Sequence, residues 1–307
     1  MLYALATSAN FLIVLASIML GIGWGTTYTL SPIVLAHITS IENRIFHFTL
    51  LSITVMGGFG LTPILASVTN KVGFSLKEMF YSDAIICVFA GLIFLFISNK
   101  LRFCYKSVKH GNCSKLSLIM VMKILHSKAR LPIIMVLIGA SIFSGMNNFQ
   151  TVFANERNLN YANYFLVYTV TVIISRLILI RFKGGNNPYM TISILQSLMF
   201  GAIFLFLIIN DSTVLYSIVA LLFAVGYGGS YPLLVAMVTN DAEPTLLPQT
   251  LQLFGLFYFV GIFGFPLIIG LIIVKINTSI ALFLVAILAL IEASMAAYRG
   301  YNRVKDP

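Results

Sequence analysis

The sequence predicts an all-α protein that crosses a membrane many times. Hydrophobic residues make up 59% of its 307 residues, and only 9% are charged. A soluble domain carries about 25% charged residues, and no soluble core of this length buries so much apolar surface. Nine apolar segments are long enough to span a bilayer, and two pairs of them repeat each other. These three observations predict a polytopic helical protein that is embedded in the lipid bilayer.

The nine spans follow from length and from their boundaries. A spanning helix needs about 20 mostly apolar residues. Each of the nine segments meets this length and is bounded by charged or turn-forming residues. The predicted spans are 10–38, 45–70, 79–98, 131–153, 161–181, 189–209, 212–238, 247–274 and 279–298.

The basic residues predict the orientation. Segment 99–130 is rich in Lys and Arg and contains no acidic residue, which is typical of a cytoplasmic loop. With nine spans, alternation places the C-terminus on the same side, in a multi-pass protein of the cell (inner) membrane. Within this loop, residues 114–126 are too short and too charged to span, and they predict a helix lying in the membrane interface. This helix is either a hinge or a linker that rests on lipid.

Two helix pairs match at a fixed offset of 203 residues. Gly-Trp-Gly at 23–25 corresponds to Gly-Tyr-Gly at 226–228, and Gly58 and Pro63 correspond to Gly261 and Pro266. Small residues allow helices to approach closely, and a proline in mid-span favours a kink. These glycines and prolines are either sites where the helices bend during transport or static packing contacts. The predicted gating or packing residues are Gly23, Gly25, Gly58, Pro63, Gly226, Gly228, Gly261 and Pro266. Repeats of this kind are typical of secondary transporters.

These motifs resemble those of the major facilitator superfamily, MFS. The resembling segments are 21–25 and 57–63 in the first half and 226–232 and 261–266 in the second. Residues 164–176 are similar to the eighth helix of bacterial efflux members. The resemblance implies a two-bundle architecture in which this chain supplies helices 4–12 of the usual twelve. It covers nearly the whole chain, and its motifs are specific for the superfamily rather than for a subfamily.

The resemblance also implies a domain organisation. Residues 1–98 form a partial N-terminal bundle, 99–130 a cytoplasmic linker, and 131–307 a six-helix C-terminal bundle. Symmetry predicts three more helices ahead of residue 10. Three explanations stay open: a misplaced gene start, a decayed gene remnant, or helices supplied by another chain.

Polar side chains within the spans are the candidates for a substrate path. Tyrosines combine a flat apolar face with a hydroxyl, which suits aromatic or amphipathic solutes, although tyrosine also belongs to interface belts. The amides either line the path or lie in the headgroup layer. The candidates are Tyr28, Asn147, Asn148, Gln150, Tyr168, Tyr231, Gln252 and Tyr258.

Two charged residues near the spans have possible roles. Arg176 either pairs with an anionic substrate or extends to the membrane surface, and its place one turn from a helix end favours the second. Glu292 is a carboxylate of the type that carries protons in antiporters. However, the resemblance places the twelfth helix outside the transport cavity.

The resemblance implies secondary active transport of a small organic solute by alternating access, as export coupled to protons. The alternative is an N-terminally truncated remnant that does not transport. The sequence contains no set of residues expected of an enzyme, no nucleic-acid module and no cofactor motif. The spacing of Cys104, His110, Cys113 and His126 fits no zinc site, so we expect no metal. The oligomeric state is left open.

Overall fold

The computed structural model describes residues 10–105, 116–181 and 187–305, and every regular element in these ranges is helical. This confirms the predicted all-α class. In the described ranges, eight helical segments have the length and apolar content to cross a membrane. Predicted span 45–70 lies on α2, several of whose side chains fall outside the described set. The α-helices are α1 Asn10–Ile38, α2 Arg44–Lys71, α3 Leu76–Tyr105, α4 Leu118–Leu125, α5 Arg130–Asn148, α6 Gln150–Asn155, α7 Tyr161–Arg181, α8 Pro188–Ile208, α9 Thr213–Asp241, α10 Leu247–Phe259, α11 Phe265–Lys275 and α12 Thr278–Lys305.

The two matched helix pairs have matching boundaries. Helices α1 and α9 each contain 29 residues. A short 3₁₀ turn follows each of them, at Ile41–Asn43 and at Pro244–Leu246. The next helices, α2 and α10, begin directly after these turns. Each of these elements begins 203 residues after its counterpart, which is the offset that the sequence match predicts.

The second pair differs from the first by an interruption. Helix α2 is continuous, whereas a π-helical turn at Val260–Gly264 separates α10 from α11. Pro266 follows this turn, and its missing N–H removes one main-chain bond from the α-helical ladder. A π-turn is one of the known causes of helix distortion. The distortion expected at Pro266 therefore takes the form of a π-turn, while the side chain of Pro63 lies outside the described set.

The predicted span 131–153 is divided. Helix α5 ends at Asn148, and α6 begins at Gln150 after Phe149, whose φ and ψ are −107° and 10°. Asn147 donates from Nδ2 to the carbonyl of Phe143 over 2.9 Å. Asparagine side chains compete with the helical main chain for hydrogen bonds in this way. Two successive asparagines therefore end the helix earlier than the apolar pattern suggests.

The described residues divide into two compact units. One contains 10–28 and 61–105, and the apolar side chains of α3 within it are largely exposed, as expected of a lipid-facing helix. The other contains 29–60, 116–181 and 187–305. In this larger unit α8 packs against α9 and α12, and α5 packs against α10 and α12. The boundaries of the predicted bundles and linker stay a prediction.

The short helix predicted in the linker is present as α4. Its first turn is capped by Ser117, whose Oγ accepts the N–H of Met120. Leu118 and Ile119 are more than 80% exposed. Lys123 contacts Glu243 over 2.8 Å, which fastens α4 to the turn between α9 and α10. Its position in a membrane interface stays a prediction.

Candidate functional site

Five buried or half-buried rings form a continuous group in the larger unit. We call Phe143, Tyr168, Tyr227, Tyr231 and Tyr258 the aromatic cluster. Phe143 stacks on Tyr227 with ring centroids 4.6 Å apart and lies 6.3 Å from Tyr168. Tyr231 is 6.4 Å from Tyr227 and 5.6 Å from Tyr258. The cluster joins α5, α7, α9 and α10, and it unites three of the tyrosines predicted from the sequence.

Glycines bring these helices close together. A Cβ at Gly226 would lie 2.6 Å from the carbonyl oxygen of Leu195 on α8, and one at Gly228 would lie 3.0 Å from a methyl of Val172 on α7. A Cβ at Gly261 would lie 2.6 Å from a main-chain oxygen of α5. The three glycines of the second repeat therefore lie at close helix contacts, as expected of small residues in membrane helices.

The glycines of the first repeat have different surroundings. No described atom beyond the local helix would lie within 4 Å of a Cβ at Gly23 or Gly58. Gly25 is half-buried on α1. Close packing is therefore observed for the second copy of the motif, and the gating roles of both copies stay predictions.

Arg176 is completely buried on α7. Its Nε donates to the carbonyl of Gly228 over 3.0 Å, and its Nη1 donates to the carbonyl of Ser52 over 2.5 Å. The expectation that this side chain extends to the membrane surface is therefore wrong. Its head group binds main-chain oxygens of α2 and α9 inside the protein.

A proline explains why the carbonyl of Gly228 is available. In an α-helix this oxygen would accept the N–H four residues later, and that residue is Pro232, which lies within α9 and has no N–H. Arg176 supplies the missing donor. Val172, one turn earlier on the same face of α7, packs against Gly228, so the absent side chain of this glycine lets the guanidinium reach the carbonyl.

Glu292 on α12 is also a buried charged residue. Only 1% of it is exposed, and its Oε1 accepts a hydrogen bond of 2.5 Å from Nε2 of Gln196 on α8. Gly139 on α5 leaves room for it, because a Cβ there would lie 3.0 Å from Oε1. The sequence pointed to Glu292 but not to Gln196, which is 96 positions away in the chain.

A small cavity connects Glu292 with the aromatic cluster. Its volume is about 10 Å³, which is close to the space of one water. The polar side chains on its wall are those of Glu292, Ser230, Tyr227 and Tyr231. The buried carboxyl group and two rings of the cluster therefore border one space.

The predicted amides have other surroundings. Asn148 is exposed at the end of α5, and Gln252 is half-buried on α10. Gln150 is buried and donates from Nε2 to the hydroxyl of Tyr216 over 2.6 Å, joining α6 to α9. Tyr28 lies on α1 in the other unit, with its ring 5.7 Å from Trp24. The place of these residues in a substrate path stays a prediction.

Arg157, in the segment between α6 and α7, contacts the end of α8. Its Nε donates to the carbonyl of Ile209 over 3.2 Å, and its guanidinium lies 5.0 Å from the ring centre of Phe206. Burial lowers the pKa of Arg157 from its ordinary value, with Glu156 acting in the opposite direction. This arginine fastens the segment after α6 to the end of α8.

The described ranges contain no group of three or more His, Cys, Asp or Glu side chains placed to hold a metal ion. His110 and Cys113, two of the four residues weighed from the sequence, lie outside these ranges, as does the side chain of Cys104. The expectation of a protein without a bound metal therefore stays a prediction.

Comparisons with known proteins agree with the fold. The family profile described as Major Facilitator Superfamily matches residues 1–266. The crystal structure of the human organic anion transporter MFSD10 (TETRAN) is similar, with a TM-score of 0.77 and 16% sequence identity over 96% of this chain and 73% of that chain. No curated protein matches the sequence.

Proposed function

Because the chain belongs to the major facilitator superfamily, whose members are multi-pass membrane transporters, we propose that it moves a small organic solute by alternating access, as proton-coupled export. Alternating access means that two helix bundles rock about a site near the membrane midplane. We place the chain in the cell (inner) membrane, with loop 99–130 and the C-terminus in the cytoplasm. Its partners are lipid, the solute and protons.

The aromatic cluster is the observation that carries this proposal. Its rings come from α5, α7, α9 and α10, so side chains of four helices contact one another there. Flat aromatic surfaces bind ring-containing solutes through stacking and apolar contact. Tyr168, Tyr231 and Tyr258 would line the solute site, with Phe143 and Tyr227 beside them. Tyr28, Asn147, Asn148, Gln150 and Gln252 would line the path to it.

The solute proposed is an organic anion with an aromatic ring. Arg176 lies two turns from Tyr168 on α7 and contributes a permanent positive charge inside the protein. Such a charge favours an anion over a cation in a site of low polarity. The similar human protein is itself described as an organic anion transporter, which agrees with this choice of solute.

Transport into proteoliposomes tests the proposal, with fluorescein as the anionic probe and ethidium as the cationic one. We expect the protein to accelerate fluorescein movement over protein-free vesicles and to leave ethidium unchanged. Acceleration of ethidium alone would contradict the anion assignment. Movement of neither probe would favour the alternative, a remnant that does not transport.

Two variants locate the site. Tyr231→Ala should lower fluorescein transport about 5-fold, since an aromatic contact is worth about 1 kcal/mol. Phe89→Ala is the matched control, because Phe89 is 62% exposed on α3. Equal losses in both variants would contradict the assignment of the aromatic cluster.

Reporter fusions test the orientation. Tags placed within 99–130 and after residue 305 should both report a cytoplasmic location, and a tag in the 209–212 turn should report the opposite side. A different pattern would overturn the proposed topology.

A further inference from the structure

We infer that Glu292, bonded to Gln196 at the wall of the small cavity, is the proton-binding site that couples transport to a proton gradient. The inference rests on the proposed function and deepens it, because it assigns the coupling ion to one residue. It differs from the expectation that a carboxylate on the last helix lies apart from the transport cavity. The cavity shows that Glu292 shares a space with two rings of the aromatic cluster.

The hydrogen bonds around Glu292 fit the protonated acid. Oε1 accepts from Gln196, whereas Oε2 and the Oε1 atom of Gln196 have no partner among the described residues. Two buried acceptors without donors are unfavourable. A proton on Oε2 turns one of them into a donor, so that one proton improves the bonding of the whole carboxyl–amide pair.

The surroundings contain few charges that would hold the carboxylate. Helices α5, α8 and α11 pack on α12, and α9 lies across the cavity. The titratable groups on the cavity wall, besides Glu292 itself, are the hydroxyls of Tyr227 and Tyr231. On α12 the cation Arg299 is seven residues away, about 10 Å along the axis.

The remaining charges on these helices are set apart from Glu292. Outside α12, the charged residues of these helices lie in the first turn of α5 and in the last turns of α9 and α11. Arg176 contacts α9 through the carbonyl of Gly228, which is not among the residues that line the cavity. The described charged side chains on α12 and on the helices around it, besides Glu292, are Arg130, Asp241, Lys275 and Arg299, and Arg176 lies on α7.

The cavity supplies a route for the proton. Its volume is close to that of one water, and a water there would border Glu292, Ser230 and the two tyrosines and could accept the proton. Loss of the proton leaves a buried carboxylate, which is costly in an apolar region. The deprotonated state therefore favours a conformation in which more water reaches the cavity. Proton binding and alternating access are linked in this way.

Infrared difference spectroscopy tests the proton site without any solute. Purified protein in vesicles is titrated with pH, and the C=O stretch of a protonated carboxyl group is followed. We expect this band to disappear as pH rises in the wild type and in Asp211→Asn, whose acid is exposed. The band should be missing in Glu292→Gln, which keeps the size and the amide bond.

A second variant guards against a folding defect. Gln196→Leu removes the N–H that bonds to Glu292, so the frequency of the same band should shift while the band persists. A band that is unchanged in Glu292→Gln, or that is absent from the wild type at every pH, would overturn the inference.

Transport measurements test the coupling. In Glu292→Gln, fluorescein movement driven by a pH gradient should fall at least about fivefold, since coupling energies are typically about 1–3 kcal/mol. Exchange of fluorescein across the membrane without a gradient should continue. Equal gradient-driven transport in Glu292→Gln and wild type would overturn the coupling role. Absence of transport in the wild type would instead count against the proposed function, while the infrared result would still decide the proton site.

Discussion

Removing the Arg176 side chain should strand one main-chain acceptor, and the size of this effect follows from the structure. Arg176→Met keeps an apolar stem but removes both hydrogen bonds. Ser52 lies within α2, so its carbonyl keeps a helical donor four residues later. The carbonyl of Gly228 has no such donor because of Pro232. A buried acceptor left without a partner costs about 1–3 kcal/mol.

A second substitution isolates this effect. Pro232→Ala restores the N–H that α9 lacks, so the carbonyl of Gly228 regains a helical partner. The double variant with Arg176→Met should therefore be more stable than the sum of the single effects by about 1–3 kcal/mol. The free energy of unfolding is measured by titration with SDS in mixed micelles, following helical circular dichroism.

A matched proline supplies the control. Pro132 lies in the first turn of α5, where no main-chain N–H has a helical acceptor. Pro132→Ala combined with Arg176→Met should be additive. If the Pro232→Ala pair is also additive to within about 0.5 kcal/mol, the explanation for the bond between Arg176 and Gly228 is refuted.

Two further predictions concern packing and charge. Gly226→Ala should destabilise the protein by about 1–3 kcal/mol because its Cβ would overlap the carbonyl of Leu195. The equivalent Gly23→Ala should be neutral or stabilising by up to about 1 kcal/mol, since no described atom of another helix lies near that position. The same SDS titration measures the stability of both variants. An equal loss of stability in Gly226→Ala and Gly23→Ala would contradict the packing argument. Reversing Lys123 to Glu should lower stability by less than about 1 kcal/mol, because the pair with Glu243 is exposed, and adding Glu243→Lys should restore it at low salt. A large loss that the second change does not restore would show that Lys123 acts through another contact.

The sequence predicted the features that depend on local composition. Length and hydropathy gave the helices, and the glycine motifs gave an offset that the helix boundaries reproduce. The division of span 131–153 was missed because apolar content alone does not reveal the hydrogen bond from the side chain of Asn147 to a carbonyl of its own helix. The π-turn was missed for a similar reason, since proline predicts a distortion but not its form.

The candidate site was predicted only in part. Tyr168, Tyr231 and Tyr258 were chosen singly, but the ring contacts that unite them depend on Phe143 and Tyr227, which apolar composition hides. The partner of Glu292 is far away in sequence, and no local pattern indicates it. Arg176 had a usable signal: Pro232 leaves the carbonyl of Gly228 without a donor. Such a proline predicts that a polar side chain from a neighbouring helix will donate a hydrogen bond to the carbonyl that lacks its helical N–H.

The π-turn makes the two related hairpins mechanically unequal. A π-turn contains about one residue more than an α-turn. The side chains of α11 are therefore rotated by about 100° around the helix axis, compared with their positions in an uninterrupted α-helix. In α2 the corresponding stretch is a regular rod. We expect any bending of the second hairpin to occur at Val260–Gly264, which begins two residues beyond Tyr258. The second hairpin therefore carries, beside the aromatic rings, a helical distortion that α2 lacks.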